Sequence, residues 1–340
     1  MRFNAFRSAA AWLLPLAAAC GYDSGYTAPN PPNPDGLWFG SASPAAILRL
    51  SPGQLNGTGD PGAATAITTP SARLSNLVGI AFDGAGDLWV TSQDDSLLLG
   101  FAHASLTSSG STAAMTVIGP SSGSLSGPTS LAFDAGHGLW VANRANGTVV
   151  RFDSLQLAAG GSPVPRVILS GLGVPTTIAF DAAGSLWVSD SRSNTLAGYT
   201  AGELEASGSP APAVLLSAAG SSLVKPSGLA FDAAGNLWVA NTNGESLAAF
   251  SPDQLAASGS PEPRVVISSN NGSLTHPVGL AFDGSGNLWV VGGGGDLTEY
   301  ARASLGVSGA PEPNARFQLT GYTLFWSAAF WPRPGGLPLR

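Results

Sequence analysis

Gly228-Leu-Ala-Phe-Asp-Ala-Ala-Gly-Asn-Leu-Trp-Val-Ala-Asn241 reads as two short apolar runs flanking a tight turn, and its Leu-Trp pair returns five more times along the chain. Gly228–Phe231 and Leu237–Ala240 are the runs, and Asp232–Asn236 carries the turn residues. That pattern predicts a β-hairpin with Gly235 where φ > 0 is required. Working outward, Leu247–Phe250 reads as a third strand, Ser251–Ser258 as a short polar connection and Pro263–Ile267 as a fourth strand.

The repeated pair places Trp38, Trp89, Trp140, Trp187, Trp238 and Trp289 at near-constant spacing, which accounts for six of the 9 tryptophans. A second pattern, an aromatic residue or Leu followed by Leu and then Gly, occurs in every copy; Phe250/Leu255/Gly259 and Leu50/Leu55/Gly59 are two examples. Four strands recurring with a period of about 50 residues describe one blade of a β-propeller. The ends decide the number of blades. Gly36-Leu37-Trp38-Phe39 opens a copy that lacks its first strand, and Ser327–Phe330 supplies a first strand without successors. The expected fold is therefore all-β: a six-bladed propeller over residues 36–340, closed by pairing the C-terminal first strand with the N-terminal strands. Closure removes the sheet edges that would otherwise invite aggregation.

Gly-Leu-Ala-Phe-Asp-x-x-Gly-Asn-Leu-Trp-Val-Ala-Asn, as at 228–241, resembles the NHL repeat and its six-bladed relatives, the virginiamycin-lyase-like and gluconolactonase-like propellers. The Gly-His and Trp-Asp marks of WD40 repeats and the double glycine of kelch repeats do not occur at the corresponding places. Resemblance to the gluconolactonase-like branch implies a divalent ion held by Glu, Asn and Asp at the channel mouth. The corresponding pairs here are Val78-Gly79, Thr129-Ser130, Thr176-Thr177, Ser227-Gly228 and Val278-Gly279, none of them a carboxylate. Resemblance to the virginiamycin-lyase-like branch implies His and Glu together on the ligand face, for which His276 and Glu245 are the available pair.

Net charge is −7, and after residue 7 no basic cluster occurs, so the phosphate-binding stripe of a nucleic-acid partner is missing. One Cys in 340 residues excludes a disulfide framework. That Cys ends a short address: Arg2 and Arg7, the apolar run Ala9–Ala19, then Cys20-Gly21. Eleven apolar residues are too few to span about 30 Å of hydrocarbon as a helix. Small residues before a lone Cys resemble the lipobox of bacterial lipoproteins, with Ala17 where that family prefers Leu. The resemblance implies a signal peptide over 1–19, lipidation and membrane attachment at Cys20, and display on the cell envelope (the outer membrane in a Gram-negative host). The alternative is an ordinary secretory signal with an incidental Cys. Residues 20–35, rich in Pro, Gly and Asn, read as a flexible tether.

Propellers bind ligands on the face formed by loops between second and third strands and by loops entering first strands. Candidates there are Gln93, Asp94, Asp95, Arg144, Asn146, Asp190, Arg192, Asn194, Lys225, Asn241, Asn243, Glu245 and His276. The five turn aspartates (Asp83, Asp134, Asp181, Asp232, Asp283) are expected to accept their own turn's N–H groups, and the six tryptophans to pack blade on blade. His103, His137 and His276 occupy different repeat positions and are not expected to converge on a metal. The expected function is a non-enzymatic binding or scaffold module that contacts an envelope protein, peptide or glycan, with no catalytic residues, metal or cofactor. A lactone hydrolase or lyase with a degenerate metal site is the alternative. A monomer is expected. Replacing Cys20 by Ala should shift the protein from the membrane to the soluble fraction of the expressing bacterium and abolish incorporation of labelled palmitate; unchanged fractionation would remove the anchor.

Overall fold

The computed structural model describes residues 35–70, 74–122, 124–217, 222–269 and 271–334. The chain divides into Met1–Pro32 and Asn33–Arg340. The expected signal peptide, Cys20 and all of the expected tether but Asp35 lie outside the described residues.

The described residues form six antiparallel sheets in a ring, a six-bladed propeller. Five blades run in chain order from the inner strand outward, as in Pro226–Phe231, Leu237–Asn241, Ser246–Phe250 and Val265–Ser268. We number the blades from the split one. Its second to fourth strands are Gly36–Ser43, Ala45–Leu50 and Thr65–Thr68, and its first is Thr323–Trp331. Leu37 faces Phe330 and Trp38 faces Ala329 across that seam. The closing strand is longer than Ser327–Phe330 because it continues past a bulge to pair Ser41 with Phe325 and Ser43 with Thr323.

The hydrophobic core consists of six clusters, each lying between two adjacent blades. Each recurrent tryptophan reaches toward the next blade. Trp38 meets Phe82 edge-on at a centroid distance of 6.1 Å, Trp140 meets Phe180 at 6.0 Å, and Trp238 meets Phe282 at 6.3 Å. Such T-shaped pairs set the positive ring edge on the negative face.

The turn aspartates hold these tryptophans. Asp232 Oδ1 accepts the N–H groups of Ala234 and Asn236, each at 2.9 Å, and its Oδ2 accepts Trp238 Nε1–H at 3.1 Å. The same arrangement recurs at Asp181 with Trp187 and at Asp283 with Trp289. At Asp134 burial alone would raise the carboxyl, but the bonds from Arg151 (Nε at 2.6 Å), Trp140 and Gly138 outweigh it and hold the group below its ordinary value.

The second repeat pattern has its own role. Each of its glycines pairs in parallel with the fourth strand of the preceding blade: Gly110 with Ile67, Gly161 with Ile118, Gly208 with Leu169, Gly259 with Leu216, Gly309 with Ile267, and Gly59 with Phe317. The last pair crosses from the N-terminal repeat to the sixth blade. It is a second closure of the ring, independent of the split blade. The short connection before these glycines forms 3-10 turns in four blades and, at Ser154–Ala159, an α-helix capped by Asp153 and Gln156. Its leucine turns inward, so that Leu106, Leu157 and Leu204 are buried.

Asp232→Ala removes the Oδ1 acceptor of two turn amides and the Oδ2 acceptor of the Trp238 indole and the Asn236 side-chain amide, and is expected to cost about 1–3 kcal/mol in urea unfolding. Asp232→Asn keeps Oδ1 but turns an NH2 group toward the two donors at Oδ2, so it should destabilise as well; an unchanged midpoint in Asp232→Ala would refute the acceptor role.

Candidate ligand-binding site on the loop face

Every blade carries a bulge in the pairing of its first two strands, opposite the start of the second-to-third-strand loop. In the fifth blade Ser227 and Gly228 both stand against Ala240. A bulge bends its strand and re-aims its side chains. Here the bulged residues point to the central channel and ring its mouth. They are Val78, Thr129-Ser130, Thr176-Thr177, Ser227-Gly228, Val278-Gly279 and, from the split blade, Trp326-Ser327. Neighbouring backbones come so close that a Cβ on Gly279 would lie 2.8 Å from Trp326 O. Glycine is required there for space.

A second tier lies above this ring. In five blades the residue four places past the tryptophan (Gln93, Arg144, Ser191, Thr242, Gly293) donates its backbone N–H to the residue that precedes the first strand or its proline. Those acceptors are Asn76, Gly127, Val174, Lys225 and His276. Asn76, Lys225 and His276 adopt φ of 49°, 53° and 47°, which turns the chain sharply into the strand. Lys225 is held further by Asn194, whose Oδ1 accepts the Lys225 N–H at 2.7 Å from the neighbouring loop.

The two tiers enclose a cavity of about 400 Å³. Its wall contains Arg144, Lys225 and His276, and no carboxylate. Gln93, Arg144, Ser191 and Lys225 continue into a shallower depression that Arg192 also lines. No hydrogen bond or ion pair among the described residues engages the side chains of Arg144, Arg192 or Lys225.

Five sequence candidates therefore meet at this mouth: Gln93, Arg144, Arg192, Lys225 and His276. The others do not line it. Asp94 accepts from Asn76, and Asp95 accepts the hydroxyls of Ser75 and Ser92. Asp190 caps its own turn, accepting N–H groups of Arg192, Ser193 and Val174. Asn146 accepts from Thr148. Asn241 is only 1% exposed, and its side chain ties Val224 and Ser222 to the start of the third strand. Asn243 and Glu245 are exposed on the loop beside the mouth. Trp326-Ser327 also lines the mouth and is not among the sequence candidates. Aligning Ala329-Phe330 with Ala230-Phe231 would have placed that pair opposite Ser227-Gly228.

Among the described residues no group of three or more His, Cys, Asp or Glu side chains is placed to hold a metal ion. His103 lies against Gly86 O and Trp331, away from His276. The far end of the channel differs in kind: Phe82, Phe180, Phe231, Phe282 and Phe330 line a hollow of about 270 Å³, with Trp331–Pro334 along it.

No protein-family model and no curated protein matches the chain. Solved structures do. A chain of a nidogen/laminin complex superposes with a TM-score of 0.59 at 15% identity, covering 86% of this chain and 96% of that one. The WD40 β-propeller domain of Doa1 gives 0.55 at 10% identity, covering 86% and 83%. A catalytically inactive virginiamycin B lyase from Staphylococcus aureus, solved with quinupristin, gives 0.52 at 12% identity, covering 74% and 73%. They share the propeller fold. At these identities the likeness extends no further.

Near His276, burial holds the Asp296 carboxyl above its ordinary range, against the bond from its own backbone and the opposing pull of Arg316 and His276. A raised folded-state value means that the native protein binds this proton more tightly than the unfolded chain does. Stability from this group is thus full below about pH 4 and is lost as pH rises through the folded value. Asp296→Asn is expected to raise the urea midpoint at pH 7 and to leave it nearly unchanged at pH 3; equal shifts at both would contradict the burial argument.

Proposed function

We propose that the protein is a non-catalytic binding module, held on the bacterial envelope through lipidated Cys20, which takes part of an envelope protein, peptide or glycan into the loop-face cavity. One observation carries this reading: loops and bulges from different blades converge on a single cavity of about 400 Å³ whose wall is cationic and free of carboxylates. That volume falls in the range of about 300–1,000 Å³ usual for small-ligand sites. The cationic wall groups are Arg144 and Lys225, whose several N–H donors suit recognition of a ligand's oxygens.

A second reading, a lactone hydrolase or lyase, draws on His276, which lines the cavity within electrostatic reach of the half-buried Asp296 carboxyl. Turnover abolished by His276→Ala would be its signature.

The two readings part in one experiment. The intact chain is heated with envelope-derived peptides and oligosaccharides, and each mixture is then analysed by mass spectrometry. A ligand of the native state stabilises it by about 2.7 kcal/mol at a hundred times its dissociation constant. The expected result is a raised midpoint, lost in Trp326→Ala and kept in Leu324→Ala, with the ligand recovered unaltered. Recovery of a cleaved or rearranged compound would overturn the binding reading.

A further inference from the structure

The cavity wall is divided, and the division follows blade order. The bulges of blades three, four and five contribute hydroxyls: Thr129, Thr176 and Ser227. Those of blades six, one and two contribute Val278, Trp326 and Val78, with Ser327 the one bulge hydroxyl on that side. The free cations stand on the hydroxyl side. Arg144 belongs to blade three, Arg192 to blade four, and Lys225 enters blade five. Of the cations elsewhere, Arg151 is engaged by Asp134 and Arg316 by the carbonyls of Asn271 and Gly272, whereas Arg166, Arg302 and Arg333 lie apart from the cavity. The acids closest in the loops do not line the cavity: Asp190 bonds within its own loop, Asp94 and Asp95 bond on blade two, and Glu245 is exposed beside the mouth. In a chain of net charge −7, a carboxylate-free wall with unpaired cations is a selective feature for an anion.

The hydroxyls refine the chemistry. Ser227 donates to Pro277 O at 3.2 Å, Thr176 to Val174 O at 3.3 Å and Thr129 to Ala142 O at 3.4 Å. Ser227 Oγ also lies 2.7 Å from Thr242 Oγ1, and hydroxyl oxygens bonded within the fold retain lone pairs that can accept from hydroxyl groups of a ligand. Trp326 offers a half-buried indole on the other wall, and its Nε1–H is buried without a partner. A puckered sugar ring with hydroxyls on its rim, a face of C–H groups and one negative group matches the hydroxyls, the indole and the cations.

Resting on the binding reading above, we infer that the ligand is an anionic sugar unit. Its acid group lies toward Arg144, Arg192 and Lys225, its hydroxyls lie over the hydroxyl side, and its apolar face lies against Trp326. The acid is a carboxylate, as in a uronic acid, or a phosphate ester.

Isothermal titration of the intact chain with glucuronate, glucose 6-phosphate, glucose and inorganic phosphate tests this. At least one charged sugar should bind about tenfold or more tightly than glucose and than inorganic phosphate. Whichever does so identifies the acid. The double variant Arg144→Gln/Lys225→Gln should lose that preference with an unchanged melting midpoint, and Trp326→Phe should weaken the charged sugar while leaving inorganic phosphate unaffected. Glucose binding as tightly as its acids, inorganic phosphate matching them, an unaltered preference in the double variant, or no binding of either charged sugar would each overturn the inference. The parent reading fails separately. Neutral sugar binding that is lost in Trp326→Ala would keep the cavity as a binding site while removing the anionic class, whereas a ligand insensitive to Trp326 would remove the cavity itself.

Discussion

Antiparallel pairing of Thr323–Trp331 with Gly36–Ser43 is the constraint on which the rest of the molecule depends. A blade of this propeller has no core of its own. Its buried side chains lie between it and its neighbours, so each blade needs two partners and the ring needs all six. Leaving the seam open would expose Leu37, Phe39 and Phe325, all fully buried, together with an unpaired strand edge. The parallel bridge from Gly59 to Phe317 reinforces the seam at the rim. Two closures at different radii resist both hinging and sliding.

Geometry required by closure also builds the site. Inner strands that converge on a narrow axis must bend, and the bulge in each blade supplies the bend. The same bulge turns two residues per blade toward the mouth, where the ring crowds backbone against backbone and glycine is needed at Gly228 and Gly279. Identical backbone geometry in every blade thus presents a ring of positions whose side chains are free to differ. Divergence at those positions gives a near-symmetric scaffold an asymmetric wall, with Thr129, Thr176, Ser227, Arg144 and Lys225 on one half and Val78, Val278 and the Trp326-Ser327 pair on the other.

Much of the scaffold was legible in the chain because it is written several times. Turn aspartate, tryptophan and rim glycine each perform one physical task per blade: accepting turn amides, filling the blade interface, and pairing with the preceding blade's outer strand. The indole bond to Oδ2 was not legible, since the separation of Asp232 from Trp238 says nothing of how the hairpin folds one onto the other. The candidate site was legible only in part. Loop residues could be assigned to a face, but the side chains that turn back into the fold, such as Asn241 and Asp190, look the same in sequence as those that turn outward, such as Arg144 and Arg192. Trp326 was obscured because its blade is divided between the two ends of the chain.

Sequence by itself determined the unit, the number of units and the way the ring closes, because repetition and periodicity are properties of order along a chain. Only the tertiary structure decided which residues share a cavity. Arg144, Lys225 and Trp326 come from three different blades, far apart in the chain. Their meeting depends on the channel radius and on the direction in which each bulge aims its side chain. Both arise from contacts between blades, which no single repeat encodes.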